Sequence, residues 1–218
     1  MGAYSPFLSD ARSEAKVVDA VAIASISELF CKFTHYSAFG QKIVFLSTKY
    51  TKMSPRPVND LRDFPPLNLP TYDIRLRHRA ADGGIEVYDD LRRMWVLLTP
   101  EEWVRQHFTH YLIEHLGYPA LRMANEVGLL FNDTQRRCDT VIYDDYASPI
   151  GIVEYKASSV TISQRTFDQI VRYNLVLKTP YLLVSNGLRH YCVHVDVENG
   201  EYRFLPELPP YKVILQGQ

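Results

Sequence analysis

Five residues stand out by type and spacing. Asp139 lies in the run 136–143, Arg-Arg-Cys-Asp-Thr-Val-Ile-Tyr; Glu154 and Lys156 lie in 150–157, Ile-Gly-Ile-Val-Glu-Tyr-Lys-Ala. Gln169 and Tyr173 follow, four apart, in Phe-Asp-Gln-Ile-Val-Arg-Tyr. Charges inside β-branched apolar runs break the pattern of a buried strand, and such breaks tend to mark functional sites. Strand alternation puts Glu154 and Lys156 on one face, about 6.6 Å apart along the chain, with Tyr155 on the other. If the two runs pair as a hairpin, Asp139 comes beside Glu154, and two carboxylates and a backbone carbonyl converge. Hard oxygen donors of that kind suit Mg²⁺, which is commonly held by one or two carboxylates plus water and substrate phosphate. The lysine beside them is a point-charge donor for a phosphate oxygen or a metal-bound water.

The elements that must position these residues can be read from pattern. Both runs are four to eight residues of strand-forming type, separated by the polar turn Asp144, Asp145, Ser148, Pro149. A helix over about 163–177 follows, placing Gln169 and Tyr173 on one face, and Thr179-Pro180 stops it. Upstream, Thr99-Pro100-Glu101-Glu102 is a helix start: a threonine cap, proline at the first position and, three residues after the cap, a glutamate that completes a capping box. Gly117 ends that helix, and 121–131 reads as the first core strand. Residues 181–185 (YLLVS) form a buried strand without alternation, as in a parallel or central position. Asn186-Gly187 is a turn, 190–196 is the last core strand, and 211–215 adds an edge strand. Before the first helix, 72–78 and 85–88 read as an N-terminal hairpin around Ala80-Ala81-Asp82-Gly83-Gly84, and 94–98 is apolar.

Asp139, Glu154-x-Lys156 and Gln169-x-x-x-Tyr173 together resemble the PD-(D/E)xK nuclease core. More closely, the chain resembles the nuclease domain at the N-terminus of the type I restriction enzyme R subunit, including stand-alone proteins that carry this domain alone. The likeness spans about residues 68–197, and Cys138 replaces the proline that names the motif. It implies an α/β fold, with an αβββαβ restriction-endonuclease-like core on a mixed sheet and the N-terminal hairpin added. It also implies Mg²⁺-dependent hydrolysis of DNA phosphodiesters, with Mn²⁺ able to substitute. On this reading Asp139, Glu154 and the Tyr155 carbonyl hold the metal. Lys156 orients or deprotonates the attacking water, and Gln169 and Tyr173 position Lys156 or the phosphate backbone. Some relatives carry an acid on the first helix, which makes Glu102 an accessory candidate, although its place after the cap already explains it. Glu126 could support the site, but a carboxylate there is more often an exposed strand position. Arg136, Arg137, Arg165 and Arg172 are candidate phosphate contacts, though each alone is more often a solvated arginine. Arg105 and Gln106, taken singly, are expected to face solvent.

Other classes compete. A silent nucleic-acid-binding module of the same fold would bind DNA without cutting it. A different phosphodiester or nucleotide hydrolase would act on small substrates. A Ser/His or Cys/His hydrolase is weaker, because His107, His110, His190 and His194 accompany no G-x-S-x-G elbow. His107, His110 and His115 share a helix without H-E-x-x-H, so they read as packing or surface residues and not zinc ligands.

Composition sets outer bounds. The 218 residues allow one domain, or one domain with an appendage, and the 46% hydrophobic content suffices for a core. A net charge of −1 means that DNA contact must come from a local basic surface. Cys31, Cys138 and Cys192 show no metal spacing and read as free thiols in a reducing compartment, consistent with a cytoplasmic protein. No G-x-x-x-x-G-K-[ST] phosphate loop occurs, so no ATP is expected, and no membrane either. Cleavage specificity would then have to come from a partner or from DNA structure; the associations expected are a homodimer or a separate specificity partner. Residues 1–52, including an amphipathic stretch at 17–33, read as a poorly ordered extension or a partner-binding arm, with Met53 as an alternative start. Residues 53–70, rich in proline, read as a linker, and 71–218 as the nuclease domain.

Overall fold

A helix boundary written in the sequence fixes the first layer. Thr99 adopts an extended backbone, and its hydroxyl accepts from the Glu102 N–H at 3.0 Å. Pro100 then opens helix α1, Pro100–Leu116, and Gly117 closes it at φ 72°. Together they satisfy one orphan N–H at the start of the helix and the Leu112 carbonyl at its end. Ahead of α1, the computed structural model, which describes residues 64–131 and 134–216, shows three short strands: β1 Leu76–His78, β2 Ile85–Asp89 and β3 Met94–Leu97. They pair antiparallel in the order β1-β2-β3, so the expected hairpin is part of a three-stranded sheet. Ile85 and Val87 on its inner face pack with Leu98 and Phe64.

The main sheet has six strands in the order β4-β5-β6-β7-β8-β9. They are β4 Met123–Phe131, β5 Thr134–Tyr143, β6 Pro149–Tyr155, β7 Tyr181–Ser185, β8 His190–Asp196 and β9 Glu201–Leu205. β6 and β7 run parallel, because helix α2 (Gln164–Leu177) makes the crossover between them, and the other neighbours are antiparallel. The order α1-β4-β5-β6-α2-β7 is the αβββαβ arrangement that the resemblance implies.

Period-two alternation divides the core between the sheet's two faces. Ile152, Leu182, Val184 and Val193 meet Phe167, Ile170 and Val171 of α2. Val153, Tyr155, Leu183 and Cys192 meet Val104, Phe108 and Leu112 of α1. A short C-terminal helix, α3 (Tyr211–Gln216), joins that second layer through Tyr211 and Ile214. This corrects the edge strand expected at 211–215: the edge belongs to β9, and 211–215 are helical. Pro210 precedes the helix, where a missing N–H costs nothing, and the apolar pair three residues apart faces the core.

Residues 64–70 of the proline-rich stretch lie against the domain. Asn68 N–H donates to the Gly187 carbonyl at 2.8 Å, Trp103 Nε1–H to the Pro65 carbonyl at 3.3 Å, and Leu67 packs beside Gly187. The expectations for residues 1–52, for 53–63 and for Cys31 lie outside the described residues. Cys138 and Cys192 are buried free thiols. Among the described residues no helix is long and apolar enough to cross a membrane.

Candidate active site

The antiparallel register brings the two motif strands together. Thr140 pairs with Val153, so the next step along the ladder sets Asp139 opposite Glu154. Asp139 Oδ2 accepts the Tyr155 N–H at 3.0 Å, which ties the two acidic positions through the backbone. Glu154 lies on the α2 side of β6, since its neighbours Val153 and Tyr155 point into the α1 layer. Gln169 reaches down from α2, and its Nε2 donates to Glu154 Oε1 at 2.6 Å and to the Tyr173 hydroxyl at 3.1 Å. Lys156 Nζ donates to the same Glu154 oxygen at 2.5 Å and to Gln169 Oε1 at 3.2 Å. All five sequence-predicted residues therefore belong to one linked group.

Burial grades across the group. The Glu154 side chain is 1% exposed, while Lys156 keeps 20% and Asp139 12%. Burial, with Asp139 adding to it, pushes the Glu154 carboxyl up to about 8 against the pull of Lys156. Its second oxygen, Oε2, is buried without a hydrogen-bond partner. Burial and the nearby Glu154 carboxyl push the Tyr173 phenol up to about 12. A carboxylate desolvated beside another carboxylate, with one oxygen unsatisfied, is the environment that a hard cation relieves. The residues present thus fit a divalent ion held by Asp139 and Glu154, although among the described residues no cluster of three or more His, Cys, Asp or Glu could hold a metal ion.

A second set of side chains joins the site from the α1 layer. Arg105, 3% exposed, donates from Nη1 to Glu126 Oε1 at 2.5 Å and from Nη2 to Asp139 Oδ1 at 3.1 Å. Its Nε lies 3.6 Å from Glu102 Oε2. Burial opposes its charge, but Asp139, Glu102 and Glu126 outweigh that and hold it well above the usual arginine range. Arg137 forms an ion pair with the other oxygen of Glu126. Glu126 sits at φ 60° in mid-strand, a left-handed conformation rare for a glutamate.

Several expectations change here. Arg105 and Gln106 face the interior, at 3% and 1% exposure, and not solvent. The stripe of apolar positions through Phe108 and Leu112 runs through Arg105 as well, three and seven residues earlier, and that spacing is the signal that places it inside. Glu126 is half-buried and paired on both oxygens' side, not an exposed strand position. Glu102 does not close a capping box: its Oε1 accepts from Arg92 Nη2 at 2.7 Å and Gln106 Nε2 at 2.8 Å. Among the candidate phosphate contacts, Arg136, Arg165 and Arg172 are exposed, and Arg172 Nε donates to the Asp168 carbonyl. Arg137 alone of the four is tied to the acidic group. His107 packs against Trp103 and Tyr72, as a packing residue should.

The family model described as "Type I restriction enzyme R protein N terminus (HSDR_N)" matches residues 100–209, just over half of the chain. The chain belongs to that family. The matched stretch runs from the first residue of α1 past β9, so it contains Arg105, Glu126 and all five residues of the linked group. A solved fragment described as an HsdR subunit of a type I restriction enzyme from Vibrio vulnificus YJ016 is similar at 19% identity and a TM-score of 0.39. The likeness covers 55% of this chain and 26% of that one, so the chain spans about a quarter of that structure's length. No curated protein matches.

Proposed function

We propose that this family member is a divalent-cation-dependent nuclease that hydrolyses DNA phosphodiesters at the Asp139–Glu154–Lys156 group. The observation that carries the reading is the convergence, within hydrogen-bond distance, of Glu154, Lys156, Gln169 and Tyr173, with Asp139 opposite Glu154 on the neighbouring strand. Asp139 and Glu154 are the residues that would hold Mg²⁺ or Mn²⁺. A bound cation of this kind supplies charge neutralisation at the scissile phosphate and acidifies water. Lys156, partly open to solvent, stabilises negative charge as it builds on the phosphate, and it holds or accepts a proton at Nζ. Gln169 fixes Nζ through Oε1 and the Glu154 carboxylate through Nε2, so one amide sets the spacing of acid and amine. Tyr173 buttresses that amide from one helical turn away. Exposed Arg136, Arg165 and Arg172 contact the DNA backbone, which positions the duplex without reading sequence.

Purified protein with linear, nicked, branched and single-stranded DNA, in Mg²⁺, Mn²⁺ or EDTA, tests this directly. The expected result is cation-dependent cleavage by wild type. Tight DNA binding with no cleavage under any condition would replace this reading with the silent binding module.

A further inference from the structure

The two acids of the proposed metal pair are not equivalent. Asp139 has both oxygens engaged by donors of this chain, Oδ1 by Arg105 Nη2 and Oδ2 by the Tyr155 N–H. Glu154 has one oxygen engaged, by Lys156 and Gln169, and the other is buried and unpartnered. The same guanidinium that holds Asp139 also holds Glu126 on the neighbouring strand. Glu126 stands opposite Asp139, between the pairs Asn125↔Thr140 and Val127↔Cys138, and reaches Arg105 from a φ of 60°. A non-glycine residue held there costs free energy, and such strain persists where the surroundings over-determine it, most often at functional sites. A two-metal phosphodiesterase sets ions about 3.5–4 Å apart, with the carboxylates between them left to ligate both. Here the space beside Asp139 is already filled by a fixed positive charge.

Building on the nuclease reading above, we propose that Arg105 is a positioning residue that acts as a built-in cation. It orients Asp139 and Glu126 and restricts the site to one divalent ion. The opening left for an ion is then on the Glu154 side, at the unpartnered oxygen. Arg105 does not touch the reacting phosphate; it acts through Asp139.

The test counts Mn²⁺ ions bound to the full chain without DNA, by titration with electron paramagnetic resonance of free Mn²⁺, with circular dichroism to check folding. Wild type is expected to bind one equivalent, which Glu154→Gln abolishes. Arg105→Lys, which keeps the charge, retains one equivalent. Arg105→Gln, if folded, gains a second equivalent, because Asp139 and Glu126 then lack their internal counter-charge. If Arg105→Gln does not fold, the counts for wild type and Arg105→Lys decide, and a second Glu154-dependent equivalent in either overturns the inference. Two Glu154-dependent equivalents in wild type overturn the inference, and so does a single equivalent in folded Arg105→Gln. With DNA cleavage intact, either result leaves the nuclease reading standing. No Mn²⁺ bound by wild type, or binding indifferent to Glu154→Gln, also overturns the inference, and the nuclease reading falls with it only where cation-dependent DNA cleavage is absent as well.

Discussion

On the α2 side of the site, hydrogen bonds join Glu154, Lys156, Gln169 and Tyr173 across separations of 2 to 15 residues. On the α1 side, Arg105 reaches Glu126 and Asp139 across separations of 21 and 34. The first wall is partly open to solvent, with Lys156 at 20% and its amide and phenol half-buried. The second centres on a guanidinium at 3% exposure. Polar links near water exchange with solvent at little net cost, while a charge stripped of water depends on its partners completely. The α2 wall should therefore tolerate substitution structurally and fail chemically, and the α1 wall should fail structurally first.

The largest expected effect on stability separates the walls most sharply. Arg105→Met leaves Asp139 and Glu126 without their shared counter-charge, and should destabilise the fold by about 3–5 kcal/mol; urea denaturation checks it, and a loss near zero would erase the contrast. Gln169→Ala removes the amide from Glu154 and Lys156 and should cost about 1–2 kcal/mol in the same assay. Tyr173→Phe keeps the ring and removes only the hydroxyl that accepts from Gln169, so about 1 kcal/mol or less is expected. A loss from Tyr173→Phe rivalling that from Arg105→Met would reverse the ranking of the walls.

A pH series sharpens the contrast from the other direction. The Glu154 carboxyl is raised to about 8 in the fold, above its ordinary value of 4.5. The folded state thus holds a proton that the unfolded chain releases. The stabilisation is fully present below the unfolded value and is lost as pH rises through about 8. In EDTA, wild type should lose stability on going from pH 6 to pH 9. Glu154→Gln, which cannot ionise, should lose less, and equal slopes for the two proteins would contradict the assignment.

The α2 wall was legible because its residues recur at strand and helix spacings within 35 residues of chain, and because one short turn joins the two motif strands. The same holds for α1, whose cap and closing glycine are local chemistry. What escaped was non-local. Arg105 looks like any helical arginine until β4 and β5 bring carboxylates to it, although its place on the apolar stripe hinted at burial. Glu126 could not be placed without its backbone conformation, which no side-chain pattern reports. Residues 211–215 carry Val213 and Ile214, β-formers by type, yet packing of Tyr211 and Ile214 on the α1 layer makes them helical. β9, with Tyr202 and Phe204 alternating against Glu201 and Arg203, carried a strand pattern past residue 197, where the likeness read from the motifs ends.

Lys156, partly open to solvent at the edge of the group, does chemistry while contributing little to the fold. Cleavage of linear DNA in Mg²⁺ by wild type and by Lys156→Ala, matched for folding by circular dichroism, tests it most directly. Wild-type activity should be EDTA-sensitive and should fall by about 10²–10³-fold or more in the variant. Undiminished Mg²⁺-dependent cleavage by folded Lys156→Ala would contradict it.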